Sequence, residues 1–154
     1  MGRAPDFIDG HQHVHQLPQI RTALLQEMKQ RYPVEGPWLR GTRAPAQSGV
    51  PWQYRFKAKI IQTLGAAALK KQAGKGYRVS PRLLGVYDFQ GGEPAYAQWL
   101  AVWLALMRDG DVLMCHPASH IITEDTLGAQ RVAEFNVLSA PETGYRLANL
   151  ALVL

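Results

Sequence analysis

The sequence predicts an α/β protein built on a parallel sheet, and three observations predict it. Short apolar runs alternate with longer stretches that carry a 3.6-residue apolar rhythm. The connections between them are short, which favours right-handed strand–helix–strand crossovers. One run, DVLMC at 111–115, is almost wholly apolar, as a strand buried on both faces is.

Each element has its own signal. DFIDGHQHVH opens as a strand, with β-prone Phe7 and Ile8 followed by turn-forming Gly10. Pro18 then stands where a helix begins, and QIRTALLQEMKQRY keeps the helical rhythm through Ile20, Leu24, Leu25 and Met28. PWLRGTR is the second strand candidate. The Gly/Pro-rich stretch 41–51 reads as a loop after it, of the kind that builds sites in parallel α/β folds. YRFKAKIIQTLGAAALKKQ reads as a single second helix, closed by the glycines of AGKG. RLLGVYDF is the third strand. Glu93 and Pro94 open a third helix, AYAQWLAVWLALMRDG, ended by Gly110. Trp99 and Trp103 lie at helical spacing on it and are core by default. DVLMCHP is the fourth strand. Thr123, with Glu124 and Asp125 behind it, caps a fourth helix through Phe135. GYRLANLALVL finishes as a strand or a tail.

The 154 residues read as one domain, 1–154, with no linker and no internal repeat. The longest apolar stretch, 99–107, is too short to span a bilayer. A single cysteine, Cys115, excludes an internal disulfide; with no secretory leader, a cytoplasmic location is expected. Cys115 itself reads as a small buried residue. The net charge of +5 is a mild excess. Lys57, Lys59, Lys70, Lys71 and Lys75 share one helical segment and read as a solvated face; an anionic partner, such as nucleic acid or a lipid head group, is the other reading, and no nucleic-acid motif supports it.

The chemistry concentrates in the histidines. On a continuing strand, Asp9, His11, His13 and His15 share one face. Helix signals follow at once, so they stand at the strand's C-terminal end, where parallel folds bind ligands. His116 and His120 follow the fourth strand, so all five histidines collect at one predicted end of the sheet. Neutral imidazole is both the commonest metal ligand and a proton carrier near pH 7. Isolated histidines are usually hydrogen-bonded core or surface groups, but this convergence favours a metal or acid–base site.

The same residues resemble a family. GRAPDFIDGHQHVHQLPQI is similar to the central motif of the YdjC-like carbohydrate deacetylases, a family that includes the diacetylchitobiose deacetylases and a branch associated with hopanoid biosynthesis. WLRGTR, GVYDF, VLMCHPA, RVAEFNVLSAP and GYRL resemble its further anchors in order, over 2–147. The resemblance implies a variant (β/α) barrel, of which this chain is the C-terminal half. It implies removal of the acetyl group from an N-acetylated amino sugar or glycolipid by means of a divalent metal, magnesium or zinc. It places a metal ligand at His11. The remaining ligands and the base belong to the family's N-terminal half, which is not found in these residues.

On this reading His116 is the candidate catalytic residue, as acid or as stabiliser of the tetrahedral oxyanion. Arg40 and Arg43 orient carboxylates or bind substrate hydroxyls; an ordinary surface ion pair is the alternative for both. His13 and His15 line the substrate pocket or make supporting bonds. Two other readings stand beside it. IDGHQHVH also resembles the His-x-His strand of amidohydrolase barrels, a class that needs many more residues than follow here. A non-catalytic, metal-binding half-barrel is the second. An open half-barrel leaves sheet edges and apolar strand faces uncovered, so a homo-oligomer is expected.

Overall fold

The computed structural model describes residues 4–46, 51–74 and 76–150. Lys75, part of loop 41–51 and the end of the last run lie outside them. The elements run β1 (Phe7–Ile8), α1 (Pro18–Arg31), β2 (Trp38–Leu39), α2 (Trp52–Thr63), α3 (Ala66–Ala73), β3 (Leu83–Leu84), α4 (Gly92–Leu106), β4 (Val112–Leu113), α5 (Gly128–Ser139) and α6 (Pro141–Ala148). The chain is mixed α/β, with short parallel strands.

β1 pairs with β2 and β3 with β4, both in parallel. The two pairs are stitched together by a parallel bridge from Leu39 to Val79 and by the Leu83 N–H, which donates to the Arg43 carbonyl at 2.9 Å. Hydrogen bonds therefore link the strands in chain order, as successive crossovers produce. At the strands' N-terminal ends, the Arg82 guanidinium pairs with the buried Asp111 carboxylate and ties β3 to β4.

The sheet separates two environments. Ile8 and Leu39 pack on one face with Met28 of α1 and with Leu69 and Ala73 of α3. Leu84 and Leu113 pack with Tyr96, Leu100, Trp103 and Leu104 of α4, and Trp103 is fully buried. The neighbouring strand residues Leu83, Val112 and Met114 instead meet Ala58 and Ile61 of α2. Adjacent residues go to different clusters because side chains alternate along a strand. Helix α2 thus meets the opposite set of strand side chains through Ala58 and Ile61, while its Tyr54 reaches the α4 cluster.

Several expectations change. The histidine segment is not a strand: β1 stops at Ile8, and His11–Gln16 form a 3₁₀ turn. The His13 N–H donates to the Gly10 carbonyl at 2.9 Å, and Gln12 and His13 adopt left-handed backbone. The alternation that put four side chains on one face is therefore lost. The expected second helix is two, broken at Gly65, whose φ of 153° brings its Cα against the Gln16 carbonyl; a Cβ there would strike that oxygen. The fourth helix begins at Gly128 rather than at Thr123, because Asp125 spends its carboxylate on the Leu127 N–H and on Arg131. The final run contributes helix α6 instead of a strand. Cys115 is exposed, not buried.

Candidate functional site

A cavity of about 380 Å³ opens at the C-terminal ends of the strands. Asp9, His11 and His13 enter it from the turn after β1, Arg40 from the end of β2, and Tyr87 and Phe89 from the segment after β3. Met114, Cys115 and His116 enter after β4, and Lys57 and Ile61 come from α2. The structure thus gathers His11, His13, His116 and Arg40 from segments more than 100 residues apart.

Arg40 organises one wall. It is 4% exposed, and its guanidinium meets the Asp9 carboxylate at 2.5 Å and donates to the Gly10 carbonyl at 3.0 Å. A buried guanidinium held at a carboxylate keeps that carboxylate in a fixed position. Burial lowers the Arg40 pKa, and Asp9 opposes the fall.

His15 lies beneath the cavity rather than in it. Its Nδ1 accepts from the Gly10 N–H at 3.2 Å, so its Nε2 carries the proton and donates to the Arg40 carbonyl at 2.8 Å. Both ring nitrogens therefore hold the backbone of the two strand ends together. Burial lowers its pKa, which keeps the ring in this neutral form.

His13 and His116 are arranged differently. Each has a buried Nδ1 with no hydrogen-bond partner. Burial lowers the His13 pKa to about 4, helped by the charge of Arg40. Burial lowers that of His116 as well, while Glu134 pulls the other way. Both rings are neutral at pH 7, and each keeps one buried nitrogen without a partner. His116 is fixed by its backbone: its N–H donates to Glu134 at 2.5 Å, and its carbonyl accepts from Arg131 Nε at 3.0 Å. The imidazole is left free to face the cavity, edge-on to the Phe89 ring at 5.0 Å.

Backbone strain collects here. The non-glycine residues with left-handed φ among the described residues are Gln12, His13 and Phe89, and all three line the cavity. Such conformations cost on the order of 1 kcal/mol each and persist where the surroundings enforce them.

Two of the expected residues stand apart. Arg43 is exposed and borders a different cavity with Gln62, Lys70 and Ser80, although its carbonyl helps join the sheet. His120 sits on an exposed loop, beside the Ser119 hydroxyl.

Other residues of the site were not anticipated. Glu134, fully buried on α5, accepts from the Tyr87 hydroxyl at 2.6 Å as well as from His116. Burial, and after it that pairing, drive the Tyr87 hydroxyl far above its ordinary pKa. The signal was present: Gln130, Ala133, Glu134 and Val137 follow the i, i+3, i+4, i+7 spacing of a buried helix face, so an acid at that spacing needs partners. Lys57 was read as solvated, yet its ammonium donates to the Tyr87 carbonyl at 2.7 Å and sits 5.3 Å from the Phe89 ring centroid. Cys115 also borders the cavity, and desolvation pushes its thiol pKa up, so it is held protonated. Among the described residues, no group of three or more His, Cys, Asp or Glu side chains is placed to hold a metal ion. Nor is any helix among them long and apolar enough to cross a membrane.

Short parallel strands, with a histidine-lined cavity at their C-terminal ends, define the class: an α/β protein with a cavity where parallel folds place their ligands. The family model described as YdjC-like protein matches residues 1–149, and the chain belongs to the YdjC-like family. Nothing among curated proteins or solved structures matches it.

Proposed function

We propose that this chain forms the histidine-bearing wall of a carbohydrate N-deacetylase, which hydrolyses the acetamide of an N-acetylated amino sugar or glycolipid. One observation carries the reading. Three histidines and a buried arginine converge on a single cavity, and two of those imidazoles are neutral with unpartnered nitrogens. The four strands are, on this reading, part of the wall of a (β/α) barrel.

Amide hydrolysis needs a water delivered to the carbonyl, stabilisation of the oxyanion, and a proton for the departing amine. A neutral imidazole with a depressed pKa is a poor acid at pH 7. His116 therefore serves better as an N–H donor to the oxyanion than as the proton source. His13, beside it, offers a second neutral ring to the substrate. Arg40 holds Asp9 and the turn after β1 in register, so it acts on the position of the histidines rather than on the substrate. His15 does the same through its two backbone bonds. Arg43 would touch only a part of the substrate that reaches beyond the cavity.

The resemblance implies a divalent ion, magnesium or zinc, with His11 as a ligand. The described side chains do not complete a ligand set, so no step is derived through the ion. This same observation favours a second reading, a non-catalytic module that binds metal weakly. Two measurements separate the readings. Titration calorimetry with zinc and nickel should show weak binding that His11→Ala reduces; equal binding by both proteins removes His11 from the site. Acetate release from chitobiose-type substrates should be negligible for the 154 residues alone. Robust release that His116→Ala abolishes would show a complete active site here, with Asp9 and Asp88 the first bases to examine.

A further inference from the structure

Helix α2 carries a second feature, on the side facing away from the cavity. Trp52, Phe56, Ile60 and Leu64 recur every four residues and are 70%, 61%, 47% and 48% exposed. At about 100° per residue, this spacing makes one continuous stripe that turns slowly around the helix. The buried side of the same helix is already used: Ala58 and Ile61 pack on the sheet, and Tyr54 meets Trp99 edge-on at 5.5 Å. The exposed stripe therefore contributes nothing to the core seen in the structure. Large apolar side chains in a contiguous exposed row mark an interaction surface.

The charges around it select the partner. Arg55 and Lys59 flank the stripe on one side, and both are exposed. Lys70 and Lys71 stand exposed on α3, immediately after it. Between Glu35 and Asp88 the chain has no acidic residue, yet it holds ten of the seventeen lysines and arginines. A protein partner's interface would ordinarily meet a mixture of signs. An apolar row of Trp, Phe, Ile and Leu flanked by Arg55 and Lys59, with the nearby acid Asp88 engaged by Tyr54 on the helix's buried side, matches a surface that offers hydrocarbon below and negative charge above.

We propose that α2, with the last turn of α3, docks this protein on an anionic phospholipid surface. The four apolar side chains enter the acyl boundary, and Arg55, Lys59, Lys70 and Lys71 meet the lipid phosphates. The same helix supplies Lys57 and Ile61 to the histidine cavity, so docking fixes the cavity's distance from the membrane. The proposal concerns binding alone and stands whether or not the chain turns over a substrate.

Flotation of the full chain with phosphatidylglycerol/phosphatidylcholine vesicles, and separately with pure phosphatidylcholine vesicles, tests it. The chain should float with the anionic vesicles and at least tenfold less with the neutral ones, and added salt should weaken the binding. Phe56→Ser/Ile60→Ser and Arg55→Glu/Lys59→Glu should each reduce flotation at least fivefold. These side chains are exposed, so circular dichroism should show both variants folded as the parent is. Absence of flotation with anionic vesicles, or flotation undiminished in the folded variants, overturns the proposal. So does a dimer by light scattering that Phe56→Ser/Ile60→Ser dissolves, since a second copy would then be what covers the stripe.

Discussion

The two parallel strand pairs are stabilised by different chemistry. Around β3 and β4 the support is aromatic and apolar: Leu84, Tyr87, Tyr96, Leu100, Trp103 and Leu104 form one cluster, its rings 5.7–6.1 Å apart. Around the C-terminal ends of β1 and β2 the support is largely polar. Gln16 is fully buried, bonds the Thr42 hydroxyl, donates to the Ile61 carbonyl at 2.8 Å, and receives at its own carbonyl the Arg21 guanidinium at 2.6 Å. His15 and Arg40 add their backbone bonds to this network. An apolar cluster tolerates small shifts, because dispersion and burial carry no direction. A buried polar network tolerates few, because each unmade bond leaves a desolvated group. The histidine turn rests on the less tolerant half, so its side chains are held by directional bonds rather than by packing alone.

The largest expected effect tests the apolar half. Trp103→Ala removes a fully buried indole from the centre of the aromatic cluster and should cost about 3–5 kcal/mol. Urea unfolding reads this as a lower midpoint at unchanged slope. A cost under about 1 kcal/mol would mean that the cluster is not the principal core of β3 and β4.

Next comes the contact that joins the apolar half to the site. Glu134→Ala strands the Tyr87 hydroxyl and the His116 N–H, and should cost about 2–3 kcal/mol. Glu134→Gln keeps an acceptor and should cost less. The distinguishing readout is the His116 ring in proton NMR. If Glu134 positions it, the alanine variant shifts those resonances while leaving the His15 resonances in place. Movement of both sets together would instead mean that the two halves are coupled as one unit.

These halves also differ in how far they could be read from the sequence. Helix α4 and the strand residues under it were legible because their apolar spacing is the packing itself: Trp103, Leu104 and Leu84 stand where the pattern put them. The βα order was legible for the same reason. The turn at His11–Gln16 was not. Alternating histidines satisfy a strand pattern, and nothing local announces that Gln12 and His13 will take positive φ; that follows from bonds Gly10 and His15 make to Arg40, some 25 to 30 residues away. The break at Gly65 has a related origin, since its positive φ and the close approach of the distant Gln16 carbonyl together require a glycine there. Placement at strand ends gathers all five histidines at one end of the sheet; the structure brings His11, His13 and His116 into one cavity, leaves His15 and His120 out of it, and adds Arg40, which that placement did not include. Lys57 escapes the sequence reading because the lysines of its segment share the pattern of a solvated face, and Glu134 because its partners, Tyr87 and His116, lie 47 and 18 residues away.

A pH titration sharpens the comparison, because the titrating imidazoles sit on the site and beneath it, not in the aromatic core. His13, His15 and His116 all have lowered pKa values in the folded chain, chiefly through burial. Below about 6.5 the unfolded chain therefore binds more protons than the folded one. Their contribution is complete above pH 6.5 and is lost as the pH falls; for His13 the loss continues to about 4. Thermal unfolding should drop by roughly 5 °C between pH 7 and pH 5, and His13→Gln should flatten that slope. A melting temperature independent of pH across this interval would mean that the imidazoles are more solvated than the structure places them.

The smallest effect isolates the strain in the histidine turn. Gln12 is exposed, with φ 49° and ψ 28°, so its side chain contributes little packing and its backbone pays the left-handed penalty. Gln12→Gly removes that penalty, about 1 kcal/mol, but also makes the unfolded chain more flexible, which offsets roughly half of it. Gln12→Ala retains the penalty, because alanine keeps the Cβ that makes positive φ unfavourable. The glycine variant should therefore be the more stable of the two by about 0.5–1 kcal/mol, measured as paired urea midpoints at equal slope. The same pair of substitutions at exposed Gln53, inside α2, should give the opposite order, since glycine weakens a regular helix. Equal stability of the two Gln12 variants would mean that the turn relaxes out of the left-handed region in solution. The polar half would then be the softer of the two, and its bonds to Arg40 and Gly10 would not suffice to hold the histidines in place.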